Sequence, residues 1–187
     1  MSVTTDPPAL TPKAQRTRAA LLDATRDIVG ASGVSATNVM TICDRAGIGR
    51  TSFYNYFDDT RDAVAEVARD AGNSIKAAFD AVHAGQPRGL DRLQACLTMV
   101  LEIGADDPSL ALLLTSLAQA DTTLPDLLSA EVAAELAGAG LDHDRAETAA
   151  RFVATATLAL TRNIAEGRMS AARITTYVEM LMRASHA

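Results

Sequence analysis

Aromatic residues are scarce in this sequence, and tryptophan is absent. Aromatics make up 4% of the 187 residues, whereas hydrophobic residues as a whole make up 48%. The core must therefore be built from Ala, Leu, Val, Ile and Met, a composition that favours helices over strands. No alternating strand pattern and no internal repeat occurs in the sequence. The sequence predicts an all-α protein.

Cysteine is equally scarce. Cys43 and Cys96 lie far apart, with no CxxC motif and no neighbouring histidine, which excludes a disulfide scaffold and a zinc ribbon or finger. We expect both thiols to lie in the core of a cytoplasmic protein. The N-terminus has neither a basic start nor an apolar stretch, so we expect no secretory signal. The uncharged stretch 108–120 is shorter than the ~20 residues of a membrane span, so we expect no membrane anchor.

Proline is confined to six positions, which leaves residues 13–86 and those after Pro125 free to form long helices. The segment 1–12 is rich in Pro, Ser and Thr and is expected to be a flexible tail. Apolar spacing and capping residues predict helices near 16–32, 39–46, 50–57, 60–82, 90–104, 109–120, 124–137, 144–166 and 170–185.

The charge of the chain is uneven. Its net charge is -6, but residues 1–57 contain six Lys or Arg and four Asp, a local balance of +2 that leaves -8 for the remainder. This asymmetry indicates an N-terminal module that can approach phosphates and an acidic body that does not.

The module has the layout of a helix-turn-helix: a long helix, a short helix, a turn at Gly47 and a second short helix that would enter a major groove. Arg50 can reach a phosphate or a guanine edge, and Asn55 can pair with a base or donate to a phosphate. Thr51 and Ser52 offer hydroxyls at the start of the same helix.

The other face of this helix is apolar, because Phe53 and Phe57 are spaced i and i+4. Tyr54 and Tyr56 lie between them and can bring hydroxyls to phosphate oxygens. The alternative is that both tyrosines only pack between helices.

These segments resemble the tetracycline-repressor-like (TetR) transcriptional regulators. The resemblance rests on GVSATNVMTICDRAGI at 33–48 and FYNYF at 53–57, which are in register with the family's Gly, Thr, Val, Ile, Ala-Gly-Val and Leu-Tyr-x-Tyr-Phe pattern, and it spans about residues 16–70. It implies a helix-turn-helix DNA-binding domain at 13–58, a linking helix at 59–84 and a helical ligand-binding and dimerisation domain at 85–187. The DNA-binding residues expected are Thr37, Asn38, Arg50, Thr51, Ser52, Tyr54, Asn55, Tyr56 and Arg61.

The sequence departs from the family after Phe57. Asp58 and Asp59 would repel phosphate, and Thr60 stands where the family has a lysine at the start of its fourth helix. Arg61, one residue later, is the candidate to supply the missing positive charge.

The resemblance also implies a homodimer through the last two helices. An apolar stripe suited to such an interface is formed by Ala146, Ala150, Val153, Thr157, Leu160 and Ile164, with Ile174, Val178 and Leu181 on the final helix. An intramolecular core stripe needs the same spacing, so both interpretations stay open.

The resemblance further implies that the middle helices enclose a pocket for a small effector, and the few charges in prospect there favour a mainly apolar one. The candidate wall residues, any of which could instead be plain core, are Cys96, Met99, Val100, Ile103, Leu113, Leu117, Phe152 and Thr155.

Nothing in the sequence indicates catalysis. His83, His143 and His186 are dispersed, and no nucleotide-binding fingerprint occurs, so we predict neither an enzyme nor a cofactor. The segment 142–144, Asp-His-Asp, is interpreted as helix capping, and no metal is assigned. Together with the helix-turn-helix residues, the resemblance to TetR regulators predicts a repressor that binds double-stranded, palindromic operator DNA as a dimer. The alternatives are a helical protein-interaction module with a degenerate helix-turn-helix and a ligand-binding enzyme of unrecognised type.

Overall fold

The computed structural model describes residues 11–185, and within this range the chain is helical without any strand. Its helices are α1 Pro12–Ser32, α2 Val39–Ala46, α3 Arg50–Phe53, α4 Thr60–Gly85, α5 Leu90–Asp106, α6 Pro108–Ala120, α7 Thr123–Gly138, α8 His143–Ala165 and α9 Ile174–Ala184. Short 3-10 turns at Val34–Ala36 and Ala171–Arg173 precede α2 and α9. The all-α prediction is confirmed.

Helix α1 begins earlier than its apolar spacing predicts. The Thr11 hydroxyl accepts a hydrogen bond from the Ala14 N–H at 3.3 Å, and Pro12 takes the first helical position, where no N–H is needed. The prediction of a flexible tail up to residue 12 is therefore wrong for Thr11 and Pro12. Residues 1–10 lie outside the described range.

Helix α2 has the predicted bounds because both of its ends are capped. Asn38 accepts from the Thr41 N–H at 3.0 Å, and the Thr41 hydroxyl accepts from the Asn38 N–H at 3.1 Å, which forms a capping box. Gly47 ends the helix at φ +67°, a left-handed conformation that turns the chain sharply into α3.

Helix α3 is shorter than predicted, since the helical segment ends at Phe53 and tight turns continue to Tyr56. Phe57 nevertheless returns to the same side, and the two Phe rings lie 5.4 Å apart in the core of the N-terminal helices. The residues that share this core are Leu21, Ala24, Ile42, Cys43, Phe53, Phe57 and Ala63. Burial of one such Phe side chain contributes about 1.5–3 kcal/mol, so these two rings hold α3 against α1 and α2.

Helix α4 runs three residues beyond its predicted end, to Gly85. Its inner residues Val67 and Ala71 join Val29 of α1 and Leu113 and Leu114 of α6 in a second cluster, here called the joint cluster. The N-terminal unit, α1–α3, is thus attached to the rest of the chain by more than the linking helix.

The second attachment is the packing of α1 directly on α6. At Gly30 an added Cβ would lie 3.4 Å from the Leu112 Cβ, and the Ser116 hydroxyl donates to the Gly30 carbonyl at 3.3 Å. A buried glycine therefore sets the distance between these two helices.

The body, α5–α9, has its own aliphatic core. Helices α5 and α8 approach closely at Gly104, where an added Cβ would lie 2.7 Å from the Thr161 carbonyl oxygen. The α8 stripe faces this core: its members Ala146, Ala150, Val153, Thr157 and Ile164 are buried within the single chain, with Leu160 partly buried against them. The dimer-interface interpretation of this stripe is therefore wrong, and its intramolecular alternative is confirmed.

The predicted interface residues of the final helix are also part of the core within one chain. The segment predicted as one helix, 170–185, begins with a 3-10 turn, and α9 proper starts at Ile174. Val178 and Leu181 are buried in the core of the body, and Ile174 packs partly against it. None of the helices in residues 11–185 is both long and apolar enough to cross a membrane.

Candidate functional site

The polar face of α3, which continues into the turn at 54–56, points away from the Phe core. Arg50, Thr51, Tyr54 and Asn55 are exposed, and Tyr54 keeps 59% of its surface accessible, whereas Ser52 and Tyr56 are half-buried. The Tyr54 ring packs edge to face on Phe53, with 5.6 Å between the ring centroids, so the buried Phe53 orients the tyrosine. Geometry thus leaves this face free to meet a groove.

Two other predicted DNA contacts have structural duties. Thr37 is buried, and its hydroxyl donates to the Gly33 carbonyl at 3.1 Å. Asn38 is exposed but its amide oxygen caps α2. Both residues lie where α2 begins, so they position the start of this helix.

Ion pairs reduce the positive charge of the N-terminal unit. The arginines of this unit engaged in them are Arg18 with Glu66, Arg26 with Asp23 and Arg45 with Asp27, and Arg61 at the start of α4 is paired with Asp59. Among residues 11–185, the cations of this unit that form no salt bridge are Lys13, Arg16 and Arg50, all exposed. The charge available for phosphate is therefore concentrated at the starts of α1 and α3.

The acidic corner after Phe57 caps α4. Asp59 accepts from the Asp62 N–H at 3.0 Å and from Arg61 Nε at 3.1 Å. The Asp62 N–H is the main cause that lowers the pKa of Asp59, and Arg61 lowers it further. Arg61 is exposed to solvent, but its positive charge is partly balanced by Asp59. The side chain of Asp58 is also exposed.

A cavity of about 440 Å³ lies between α4, α5, α6, α7 and α8. Its apolar wall consists of Ile75, Phe79, Val100, Ile103, Leu114, Leu124, Leu127, Leu128 and Leu158. The polar residues on the wall are Lys76, Asp80, His83, Thr115, Glu131 and Thr161. Leu114 and Leu124 also pack in the joint cluster, so the cavity borders the contact between the N-terminal unit and the body.

Two of the predicted wall residues, Val100 and Ile103, line this cavity. The others do not. Cys96 and Leu113 are buried elsewhere, Met99 and Leu117 are partly buried outside the wall, and Phe152 and Thr155 lie exposed on α8. Sequence reasoning missed the contribution of α4, which was assigned only a linking role. The continuation of its apolar stripe through Ile75 and Phe79 could have indicated that wall.

One end of the cavity is ionic. His83 Nε2 lies 3.6 Å from a Glu131 carboxylate oxygen, and the nearby Glu135 accepts from Arg92 Nη2 at 2.6 Å and Nε at 3.0 Å. Glu135 also accepts from the Gly89 N–H at 2.9 Å, and its hydrogen bond with Arg92, reinforced by its charge, raises the pKa of Arg92. This pair fixes the start of α5 on α7.

The two cysteines are unreactive by environment. Burial raises the pKa of the Cys96 thiol to about 11, with Glu135 adding to the effect, and burial likewise raises that of Cys43. Both thiols stay protonated at neutral pH, and their prediction as buried residues is confirmed. Asp142 accepts from the Arg145 N–H at 3.1 Å, which confirms the capping interpretation of 142–144.

Comparison with known proteins agrees with this architecture. Residues 21–68 match the family described as bacterial regulatory proteins, tetR family. A TetR-like transcriptional regulator from Rhodococcus sp. RHA1 superimposes with a TM-score of 0.74 at 20% identity, covering 94% of this chain and 96% of that chain. No curated protein matches the chain in sequence.

Two further solved structures share the fold. A gamma-butyrolactone receptor (ArpA-like protein) has a TM-score of 0.67 at 18% identity, covering 94% of this chain and 99% of that chain. The ketosteroid transcriptional regulator KstR2 of Mycobacterium tuberculosis has a TM-score of 0.63 at 17% identity, covering 89% and 93%. The likeness therefore extends over both the N-terminal unit and the body.

Proposed function

Since this chain belongs to the TetR family of DNA-binding transcriptional regulators through its N-terminal domain, we propose that it is a repressor whose operator affinity is set by a small apolar effector. The family is one of regulators, which are not enzymes. The observation that carries the proposal is the position of Leu114, which packs in the joint cluster and also lines the cavity.

The DNA contacts are assigned to the exposed face of α3. Arg50, Thr51, Tyr54 and Asn55 read or clamp the groove, with Ser52 and Tyr56 at its edge. Thr37 and Asn38 position the start of α2 beside the DNA backbone. Arg61 contributes a positive charge that is partly balanced by its ion pair with Asp59. One such unit offers few contacts, so we propose that two of them bind a palindrome with half-sites ~34 Å apart.

The homodimer is proposed to form through the outer faces of α8 and α9. Phe152 on α8 keeps 60% and Met180 on α9 keeps 63% of its surface exposed, which is unusual for large apolar side chains. The exposed Thr155 and Ala159 continue the α8 face without charge. We expect Phe152→Glu and Met180→Glu to give monomers in light scattering, whereas Thr175→Glu, on another face of α9, leaves the dimer intact.

The effector is proposed to be mainly apolar because nine of the wall residues of the cavity are apolar. Two of the similar structures are named as a gamma-butyrolactone receptor and a ketosteroid transcriptional regulator, and these names describe those proteins alone. For this chain, the apolar effector is supported by the residues that line the cavity. An occupant touching Ile75, Phe79 and Leu114 would shift α4 and α6, and both helices hold α1.

DNA binding is tested by selection from a random duplex library with the full-length protein. The expected result is an enriched inverted repeat bound by two chains. If no sequence is enriched, the protein is the interaction module with a degenerate helix-turn-helix and the repressor proposal fails. An enriched site without symmetry would overturn the binding of a palindrome by two chains.

The effector site is tested with straight-chain alcohols, fatty acids and steroids in thermal-shift assays. A compound that stabilises the protein should lose its effect in Ile103→Phe and Leu158→Phe, which fill the cavity. Linkage requires the compound to change operator affinity by the factor by which operator changes compound affinity, with a typical coupling of about 1–3 kcal/mol. Equal affinities with and without operator would show that the cavity does not regulate DNA binding.

A further inference from the structure

We propose that His83, Glu131 and Glu135 form a binding site for a divalent transition-metal ion, in which α4 and α7 are bridged beside the cavity. One ligand atom from each residue lies within 4.8 Å of the others. Sequence spacing does not indicate this site, because His83 and the two glutamates are far apart in the chain and only the packing of the helices brings them together.

The distances are close to those of a coordinated ion. Ligand atoms about 2.0–2.2 Å from a tetrahedral zinc ion are about 3.4 Å from one another, and His83 Nε2 already lies 3.6 Å from Glu131 Oε2. The remaining pairs lie within 4.8 Å of one another and would close by up to about 1.4 Å to reach that separation.

The imidazole nitrogen independently indicates a ligand. His83 Nε2 is inaccessible to solvent and forms no hydrogen bond with any described residue. The Glu131 oxygen at 3.6 Å is beyond hydrogen-bond distance. A buried nitrogen that makes no hydrogen bond costs free energy, and a metal ion that accepts its lone pair would remove that cost. The ring of Phe79, one turn earlier in α4, lies beside the imidazole of His83, with 5.9 Å between the ring centroids.

Glu135 retains capacity to coordinate although it is paired. Its Oε1 accepts both hydrogen bonds from Arg92, and its Oε2 accepts one from the Gly89 N–H. A carboxylate has about four lone-pair sites, so one site on Oε2 remains. Arg92 then holds this carboxylate in place, as hydrogen-bond donors behind metal ligands commonly do.

The donor set selects the kind of ion. One imidazole nitrogen with two carboxylate oxygens suits Zn²⁺, Co²⁺, Mn²⁺ or Fe²⁺, whereas Mg²⁺ prefers a shell of oxygens. The charges of Glu131 and Glu135 against that of Arg92 leave a net charge of -1 before the ion binds. Cys96 is not a ligand in this proposal, since its sulfur is not among the ligand atoms that lie within 4.8 Å of one another.

The test is calorimetric titration of Zn²⁺ into the full-length, tag-free protein after removal of metals with a chelator. We expect one ion per chain, with affinity at least tenfold lower in His83→Ala and in Glu131→Gln. Mg²⁺ should not compete. Co²⁺ should give visible d–d absorption without a thiolate charge-transfer band, a signature that a merely structural role of these residues would not produce.

The chain offers a matched control. His143 and Glu147 form a His–Glu pair 3.4 Å apart on the exposed surface of α8, so His143→Ala removes an equivalent pair outside the proposed site and should leave Zn²⁺ affinity unchanged. Circular dichroism of each variant verifies folding. Absence of saturable Zn²⁺ binding, or equal affinity in the wild type and folded His83→Ala, overturns the proposal; loss of binding in His143→Ala alone places the metal elsewhere. Neither result depends on DNA binding or on an apolar effector.

Discussion

The N-terminal unit and the body use their few aromatic residues in opposite ways. Four of the seven Phe and Tyr residues fall within 53–57, where two form a core and two flank an outer polar face. The body contains Phe152 and Tyr177, of which Phe152 is exposed. Its interior is aliphatic and encloses a cavity.

This difference shows why the two regions differ in how much their sequences reveal. The proposed function of the N-terminal unit lies on its outside, on side chains adjacent in the chain. That of the body lies inside, at the cavity and at an ionic end where Arg92 and Glu135 pair across two helices. The spacing of residues along the chain is enough to predict the outer face of the N-terminal unit. The interior of the body is formed only when distant segments pack together.

The largest expected effect contrasts the same residue type in the two regions. Phe53 is fully buried, so Phe53→Ala should lower the free energy of unfolding by about 3–5 kcal/mol. Phe152→Ala should leave the unfolding of the single chain nearly unchanged, because its side chain is mostly exposed. Urea denaturation at low protein concentration measures both. Similar losses in the two variants would contradict the contrast.

The next contrast concerns two helical glycines. An alanine Cβ at position 104 would lie 2.7 Å from the Thr161 carbonyl oxygen, whereas nothing lies within 4 Å of a Cβ at position 72. Gly104→Ala should destabilise the protein by about 1–3 kcal/mol, and Gly72→Ala should stabilise it by about 0.4–1 kcal/mol. Thermal unfolding of both variants checks the opposite signs. A stabilising Gly104→Ala would show that α5 and α8 are less tightly packed.

A third prediction separates charge that is available from charge that is paired. Arg50→Ala should cost about 1–3 kcal/mol in DNA binding if the guanidinium reads a guanine, and should relax specificity at one position. If Arg50 contacts only phosphate, the loss is uniform and the salt dependence falls by about one charge. Tyr54→Phe should also weaken binding without unfolding the protein.

The control for this prediction is Arg45→Ala, since Arg45 Nη2 is paired with Asp27 at 2.7 Å. Its effect on DNA affinity should be smaller than that of Arg50→Ala at every salt concentration. If Arg50→Ala and Tyr54→Phe both bind like the wild type, α3 is not the recognition helix.

The smallest effect concerns the cap of α4. The pKa of Asp59 is lowered in the folded protein, so its charged form stabilises the fold above the unfolded pKa of about 3.9, and this contribution is lost as pH falls through the folded pKa. Asp59→Asn keeps an acceptor for the Asp62 N–H but does not titrate. The melting-temperature advantage of the wild type over Asp59→Asn should be constant near neutral pH and disappear in acid. An advantage that persists in acid would exclude Asp59 as its source.

Much of the N-terminal unit was predictable because its determinants are local. Asn38 and Gly47 mark the ends of α2, and the i, i+4 spacing of Phe53 and Phe57 identifies the core face of α3. The exposed residues of the proposed DNA face follow from that spacing. The short length of α3 did not follow, because the turns after Phe53 still bring Phe57 to the position that a continued helix would give it.

Less of the body was predictable, because apolar periodicity identifies a buried face without identifying what covers it. The α8 stripe at Ala146 and Ala150 has the spacing of an interface between chains, yet it packs within one chain. Val100 and Ile103 were expected at the cavity, but Phe79 and Leu158 emerged only from the packing.

The sequence by itself determined the helical class, most helix bounds and the polar face of α3, since these depend on hydrogen bonds and side-chain spacing within a few residues. Tertiary structure decided the direction of the α8 stripe, the α4 wall of the cavity and the approach of His83 to Glu131 and Glu135. These depend on which helices pack together, and the free energy of that packing is distributed over many weak contacts between residues distant in the chain.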